Sequence, residues 1–77
     1  MKILITGGAG YIGSELINYL IDDHEITVLD NLMYDPTTLL RYTQHPNFNF
    51  VKGDVRDLKI LRRLLSSHDI ILPLAAL

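Results

Sequence analysis

Three glycines at three-residue spacing form the motif in this chain most suited to chemistry. Gly7, Gly10 and Gly13 follow the apolar run of residues 3–5 and precede a helical pattern. The first glycine allows a sharp turn, the second leaves room for a phosphate beside the backbone, and the third permits close packing of helix on strand. Unpaired N–H groups at the helix N-terminus then face the anion. The spacing predicts a diphosphate-binding turn, with an ordinary tight turn as the alternative.

An acidic residue supplies the second part of a dinucleotide fingerprint. Asp30 ends the apolar run of residues 26–29, 17 residues after Gly13. A carboxylate at the end of a second strand accepts hydrogen bonds from both hydroxyls of an adenosine ribose and repels the 2′-phosphate of NADP. Asn31 and Leu32 follow, without an arginine to bind that phosphate. We therefore predict a preference for NAD over NADP, and the alternative for Asp30 is a solvated strand-end charge.

The elements that must position these residues alternate between strand and helix. We predict strands over residues 2–6, 25–30, 49–51 and 70–77, and helices over residues 11–21, from Pro36 to before His45, and from the N-cap Asp57 to about residue 65. The predicted buried faces are Ile12, Leu16, Tyr19 and Leu20 in the first helix, and Leu58, Leu61, Leu64 and Leu65 in the third. Pro73 should lie near the carboxyl end of the fourth strand.

Right-handed crossovers connect these elements into an α/β fold. We predict a Rossmann-type doubly wound parallel sheet with strand order 3-2-1-4 and three helices, which is an incomplete domain. Ligands then bind at the switch point between strands 1 and 4, beside the glycine turn. Lys59, Arg62 and Arg63 are predicted to form the solvated outer face of the third helix.

Composition excludes several classes of function. The chain has 77 residues, a net charge of −2 and no cysteine, so we expect no nucleic-acid binding, no disulfide framework and no thiolate metal site. His24, His45 and His68 are more than 20 residues apart, and we predict no metal site. The apolar run at the amino terminus is too short for a signal peptide, and no segment is long enough to cross a membrane. A cytoplasmic location is the expectation.

Four segments together resemble the extended short-chain dehydrogenase/reductase family, and within it the nucleotide-sugar epimerases and 4,6-dehydratases. They are Thr6–Gly13, Val28–Leu32, Gly53–Asp57 and Leu74–Ala76. The resemblance implies that NAD contacts four groups of residues: Gly7, Gly10, Tyr11, Ile12 and Gly13 at the diphosphate, Asp30 and Asn31 at the ribose, Asp54 and Val55 at the adenine, and Ala75 and Ala76 beneath the fourth strand. For Asp54, an ordinary turn residue is an equally weighted alternative.

The chain departs from this family at two points. Pro73 stands where family members often have a histidine, and no tyrosine here has the lysine four residues later that the family's chemistry uses. We therefore predict no catalytic residue in this chain. Residues 1–77 are expected to be the amino-terminal part of an NAD-binding Rossmann domain, with the substrate domain outside the chain.

The resemblance also implies a reaction for the longer enzyme. Tightly bound NAD would transiently oxidise a hydroxyl of a nucleotide sugar, and the activated sugar would epimerise or lose water. The full-length enzyme is expected to bind its nucleotide sugar through residues outside this chain. Its oligomeric state stays open, with a homodimer as one alternative because members of the family often dimerise. Two alternatives remain, a dehydrogenase or reductase using free cofactor and a non-catalytic nucleotide-binding module.

Overall fold

A four-stranded parallel sheet forms the centre of the molecule. The computed structural model describes residues 1–7, 11–31 and 36–74. The strands are β1 (Lys2–Thr6), β2 (Glu25–Asp30), β3 (Phe48–Lys52) and β4 (Ile70–Pro73), and the helices are α1 (Tyr11–Leu20), a 3₁₀ helix (Pro36–Tyr42) and α2 (Leu58–Ser66). The strand order is β3-β2-β1-β4 with every pairing parallel, which confirms the predicted topology.

The prediction of three α-helices is wrong. The described residues contain two α-helices, and the segment between β2 and β3 is a 3₁₀ helix of seven residues. This segment is short, and it contains the β-branched Thr37 and Thr38, which lower helix propensity. With His45-Pro46 close behind, it forms the tighter helix that short connectors commonly adopt.

The strand bounds agree closely with the sequence pattern. β1 and β2 have the predicted ends, and β3 is one residue longer at each end. Pro73 occupies the last paired position of β4, opposite Thr6, as predicted. The N–H of Leu74 donates to the Thr6 carbonyl at 2.8 Å. Because N–H groups alternate between the two sides of a strand, the Pro73 nitrogen points away from β1, where β4 has no neighbour in the described sheet. Residues 75–77, predicted to continue the strand, lie outside the described residues.

α1 and the 3₁₀ helix cover one face of the sheet. Nine buried residues form the core there: Ile3, Ile5, Ile17, Ile21, Ile26, Val28, Leu39, Tyr42 and Phe48. Two residues of the predicted α1 face are instead exposed, Ile12 to 71% and Tyr19 to 84%, whereas Leu16 and Leu20 are partly buried. The small residues Gly13 and Ser14 of α1 are buried together with Ile17, so the buried face of the helix is rotated away from Ile12.

α2 covers the opposite face less completely. Leu64 is buried with Leu4 and Leu29, and Leu61 packs partly against them. Leu58 is 62% exposed and Leu65 is also exposed, so half of the predicted leucine stripe is not buried by the described residues. These two leucines are seven positions apart, and they therefore share a flank of the helix that the described sheet does not reach.

The predicted start and outer face of α2 are confirmed. The Asp57 carboxylate accepts hydrogen bonds from the backbone N–H groups of Lys59 at 3.0 Å and Ile60 at 3.4 Å. Lys59, Arg62 and Arg63 are exposed. Neither described α-helix has the length and apolar character needed to cross a lipid bilayer.

Candidate functional site

The carboxyl ends of the four strands meet along one edge of the sheet, here called the carboxyl edge: Gly7, Asp30, Asn31, Gly53, Asp54 and Leu74. The N–H of Gly7 donates to the Leu29 carbonyl at 2.9 Å. The N–H of Gly53 donates to the Asp30 carbonyl at 3.0 Å, and Leu74 is bonded to β1 as described above. β1, β3 and β4 are therefore each tied to a neighbouring strand by the first residue after the paired region.

Gly7 has the backbone conformation that the predicted turn requires. Its φ is 77°, in the left-handed region that side chains with a Cβ rarely adopt. The prediction that this glycine allows a sharp turn after β1 is confirmed. Gly10 lies outside the described residues. α1 begins at Tyr11, and Gly13 is buried within its first turn, so the start of the helix follows the turn as predicted.

Asp30 lies beside that turn. It is the last residue of β2, it is half-buried, and it pairs in register with Lys52 of β3. Gly7 donates its N–H to the carbonyl of the residue immediately before Asp30. Gly7 and Asp30 therefore lie at the ends of neighbouring strands, and neighbouring strands are about 5 Å apart in a β-sheet. Asn31 follows and is exposed.

The segment after β3 places a second carboxylate on the carboxyl edge. Asp54 accepts a hydrogen bond from the backbone N–H of Arg56 at 2.8 Å, and its Oδ2 accepts from Nη2 of the same arginine at 2.7 Å. The Arg56 guanidinium, together with this backbone N–H, lowers the pKa of Asp54 from 3.8 to about 2. Asp54 is therefore ionised at neutral pH and offers only hydrogen-bond acceptors.

Two neighbours of Asp54 hold this segment against the fold. Val55 packs against the core beneath α2. A Cβ on Gly53 would come within 3.0 Å of Ile60 Cδ1 and 3.3 Å of Leu29 Cδ1, so a side chain at this position would crowd both. Gly53 therefore lets the chain leave β3 close to the second face of the sheet. Ala75 and Ala76, the remaining predicted cofactor contacts, lie outside the described residues.

A cluster that the sequence did not predict joins α1 to the 3₁₀ helix. The Tyr42 hydroxyl donates to the Ser14 carbonyl at 3.0 Å, and Arg41 Nη2 donates to Ser14 Oγ at 3.3 Å. The Arg41 guanidinium also lies 4.8 Å above the Tyr42 ring, at cation–π distance. Ser14 is 28 residues from Tyr42 in the sequence, and no motif connects them. The cluster fastens the helix behind the glycine turn to the segment that follows Asp30.

The role of Arg56 was also not predicted from the sequence, although the spacing of Asp54 and Arg56 indicates it. An aspartate whose carboxylate accepts the N–H two residues later forms a common turn, and Asp54 and Arg56 have that spacing. An arginine at the second of these positions is close enough to bind the same carboxylate. The sequence could have indicated this ion pair.

The opposite edge of the sheet carries a cleft of different character. It has a volume of about 500 Å³ and is lined by Met1, Lys2, Glu25, Ser66, Ser67, His68 and Asp69. Its polar groups have partners within the fold: the backbone N–H of Lys2 donates to Asp69 Oδ2 at 2.8 Å, and Lys2 Nζ lies 3.9 Å from Glu25 Oε2. Ligands of open α/β sheets bind at the carboxyl ends of the strands. We therefore place the candidate site at the carboxyl edge and not in this cleft.

The three histidines follow three different elements. His68 Nε2 lies 2.8 Å from Thr27 Oγ1 and thereby joins the end of α2 to β2, while His45 Nε2 lies 3.4 Å from Asp22 Oδ1. His24 follows α1. Within residues 1–7, 11–31 and 36–74, no group of three histidine or acidic side chains is arranged to hold a metal ion.

Comparisons with known proteins agree with this geometry. The model of the NAD dependent epimerase/dehydratase family matches residues 3–77. The chain is 42% identical to the low-salt glycan biosynthesis protein Agl12 of Haloferax volcanii, over 99% of this chain and 26% of that protein. It is 39% identical to the UDP-glucose 4-epimerase of Neisseria gonorrhoeae, over 91% of this chain and 22% of that enzyme.

A solved structure shares the fold. The dTDP-glucose 4,6-dehydratase of Streptomyces venezuelae, crystallised with NAD bound, superimposes with a TM-score of 0.90 and 37% sequence identity. The match covers all of this chain and 27% of that enzyme. The chain thus spans about a quarter of the length of the relatives that it matches.

Proposed function

Because the chain belongs to the NAD dependent epimerase/dehydratase family, we propose that it is the NAD-binding portion of a nucleotide-sugar epimerase or 4,6-dehydratase. One observation carries the proposal. The left-handed glycine at the end of β1 is hydrogen-bonded to the residue before Asp30. This supports the proposal that Gly7 belongs to a diphosphate-binding turn and that Asp30, on the neighbouring strand, binds the ribose.

The order of the strands suggests how the cofactor lies. β1, β2 and β3 are consecutive neighbours, and they end at Gly7, Asp30 and the segment containing Asp54. In this proposal the diphosphate lies at the glycine turn, the adenosine ribose at β2 and the adenine at β3. The contributing residues are Gly7, Gly10, Tyr11, Ile12 and Gly13 for the diphosphate, Asp30 and Asn31 for the ribose, Asp54 and Val55 for the adenine, and Ala75 and Ala76 next to β4.

The described residues fit this cofactor. Gly7 has a left-handed backbone conformation and no Cβ that would stand in the way of a phosphate. The carboxylates of Asp30 and Asp54 accept hydrogen bonds, and a ribose and an adenine base both carry hydrogen-bond donors. When bound, NAD supplies reversible oxidation of a sugar hydroxyl. The residues of this chain bind and orient the adenosine half, and residues elsewhere in the enzyme hold the nucleotide sugar.

The experiment is to purify the full-length gene product and analyse it for bound nucleotide. We expect NAD to be released when the protein is denatured. We also expect UDP-glucose or dTDP-glucose to be converted without net accumulation of reduced cofactor. A protein that neither contains nor binds NAD would refute the proposal.

The same experiment separates the two alternatives. Stoichiometric reduction of added NAD would identify a dehydrogenase that uses free cofactor. Binding of NAD without conversion of any nucleotide sugar would favour a non-catalytic module. The cytoplasmic location expected from the sequence is part of the proposal. The sequence left the oligomeric state open, and size-exclusion chromatography of the full-length protein tests the homodimer as one alternative.

A further inference from the structure

The contact between Asp54 and Arg56 uses most of the acceptor capacity of the aspartate. Oδ1 accepts from the backbone N–H of Arg56 at 2.8 Å and from its Nε at 3.1 Å. Oδ2 lies 3.1 Å from the same Nε and 2.7 Å from Nη2. A carboxylate has about four acceptor directions, and these three donors leave one of them for another partner.

This arrangement fixes a side chain that would otherwise rotate. An arginine that binds both carboxylate oxygens through two N–H groups restricts the orientation of the carboxylate, because the two planar groups must align. The backbone N–H of Arg56 adds a third fixed donor. Asp54 is therefore held in a single orientation by a residue two positions away.

Stability does not account for this contact. The Arg56 side chain is 84% exposed, and exposed ion pairs contribute little to folding because both partners are well solvated when apart. Asp54 lies on the carboxyl edge, one strand beyond Asp30, where the proposed order of the cofactor places the base. Adenine presents an exocyclic amine, a hydrogen-bond donor, to an acceptor in this position.

We propose that Arg56 is a positioning residue that orients the Asp54 carboxylate to accept a hydrogen bond from the exocyclic amine of adenine. This inference rests on the proposed function and adds the means by which the base is selected. Arg56 acts through Asp54, and the remaining acceptor direction of the carboxylate receives the amine. A base with a carbonyl in place of the amine cannot form this hydrogen bond, because the carbonyl and the carboxylate are both acceptors.

The experiment compares NAD with nicotinamide hypoxanthine dinucleotide, in which a carbonyl replaces the adenine amine. Binding of each to the nucleotide-free, full-length gene product is measured by calorimetry. A hydrogen bond to a charged group predicts that wild-type protein binds NAD about tenfold or more tightly than the hypoxanthine analogue. The Arg56→Gln variant should lose most of this preference while its unfolding midpoint stays close to that of wild type.

Matched variants separate positioning from other roles of a positive charge. Arg62→Gln removes an exposed arginine of α2 and should keep the wild-type preference. Arg56→Lys retains the charge without the fork of donors, and it should restore only part of the preference. Because Arg56 acts through Asp54, the double variant Asp54→Asn/Arg56→Gln should match Asp54→Asn alone.

The outcomes distinguish this inference from the proposed function. Failure of wild-type protein to bind NAD would overturn both. Binding of NAD with no preference over the hypoxanthine analogue would overturn the inference alone. So would a wild-type preference in Arg56→Gln or Arg56→Lys, or a double variant with less preference than Asp54→Asn.

Discussion

The two edges of the same sheet differ in what their polar groups bind. At the amino-terminal edge, the backbone N–H of Lys2 donates to Asp69, and the ammonium group of Lys2 lies 3.9 Å from the Glu25 carboxylate. At the carboxyl edge, backbone N–H groups tie the strands together, and the carboxylates of Asp30 and Asp54 stand at the strand ends. The amino-terminal edge uses its charges within the fold, whereas in the proposed function the carboxylates of the carboxyl edge accept hydrogen bonds from the cofactor, Asp54 while it is also bound to Arg56. A cleft is therefore weaker evidence of a site than the chemistry of its lining groups.

The largest expected effect of an edge substitution is that of Asp30→Ala on cofactor binding. Loss of the hydrogen bonds from the ribose hydroxyls to a charged acceptor should weaken NAD by about 10- to 100-fold. Removal of the negative charge should also raise the affinity for NADP relative to NAD. Titration of both cofactors into the nucleotide-free, full-length protein measures this.

Asp69→Ala at the amino-terminal edge is the matched control. It removes the same functional group from the other end of the sheet and should leave NAD affinity unchanged. Equal NAD affinities for the Asp30→Ala and Asp69→Ala proteins would contradict the difference between the two edges.

Gly7→Ala should reduce stability because the Cβ is unfavourable at a φ of 77°. The expected loss is about 1–2 kcal/mol in the free energy of unfolding, measured by urea denaturation. Ser66→Ala at the exposed amino-terminal edge is the control and should change this energy by less than about 0.5 kcal/mol. If both variants had the same stability, the left-handed turn at Gly7 would be ruled out.

Asp69→Asn tests whether the amino-terminal edge is purely structural. The amide oxygen can still accept from the Lys2 N–H, but the acceptor loses its charge. Stability should fall by less than about 1 kcal/mol, and the affinity for NAD should not change. A drop in NAD affinity without loss of stability would show that this edge communicates with the cofactor.

The smallest expected effect is the pH dependence of the Asp54–Arg56 pair. The pKa of Asp54 is lowered from 3.8 to about 2, chiefly by the side-chain hydrogen bonds from Arg56. A carboxyl group with a lowered pKa in the folded state stabilises the fold above its unfolded pKa, and this contribution is lost as the pH falls from about 4 to about 2. Because the pair is exposed to solvent, the difference in unfolding midpoint between wild type and Arg56→Gln at neutral pH should be small, and it should shrink over this range. A constant difference would exclude the ion pair as its cause.

Local sequence chemistry accounts for the local structure that was predicted correctly. A left-handed turn at the end of a strand requires a glycine such as Gly7, and an aspartate before a leucine-rich helix caps its N–H groups, as Asp57 does. The parallel sheet with order 3-2-1-4 follows from the alternation of strand and helix together with the right-handedness of crossovers. The glycine turn and the helix cap depend on a few neighbouring residues, and the strand order depends on the order of the elements along the chain. All of these can be found in the sequence.

Burial of the helix faces could not be predicted in the same way. α1 carries more apolar residues than one face accommodates, and in the folded chain Gly13, Ser14 and Ile17 are buried whereas Tyr19 is exposed. In α2, Leu64 reaches the sheet and Leu58 does not. Apolar periodicity gives the period of a helix, but its rotation about its own axis depends on the surface that it meets.

The sequence by itself therefore determined the glycine turn, the strand-end carboxylate at Asp30 and the order of the strands, because backbone sterics and chirality depend on residue type alone. Only the tertiary structure decided that the Tyr42 hydroxyl binds Ser14 and which leucines of α2 are buried. These contacts join residues far apart in the chain, and their free energy depends on the partner and on the area that folding covers.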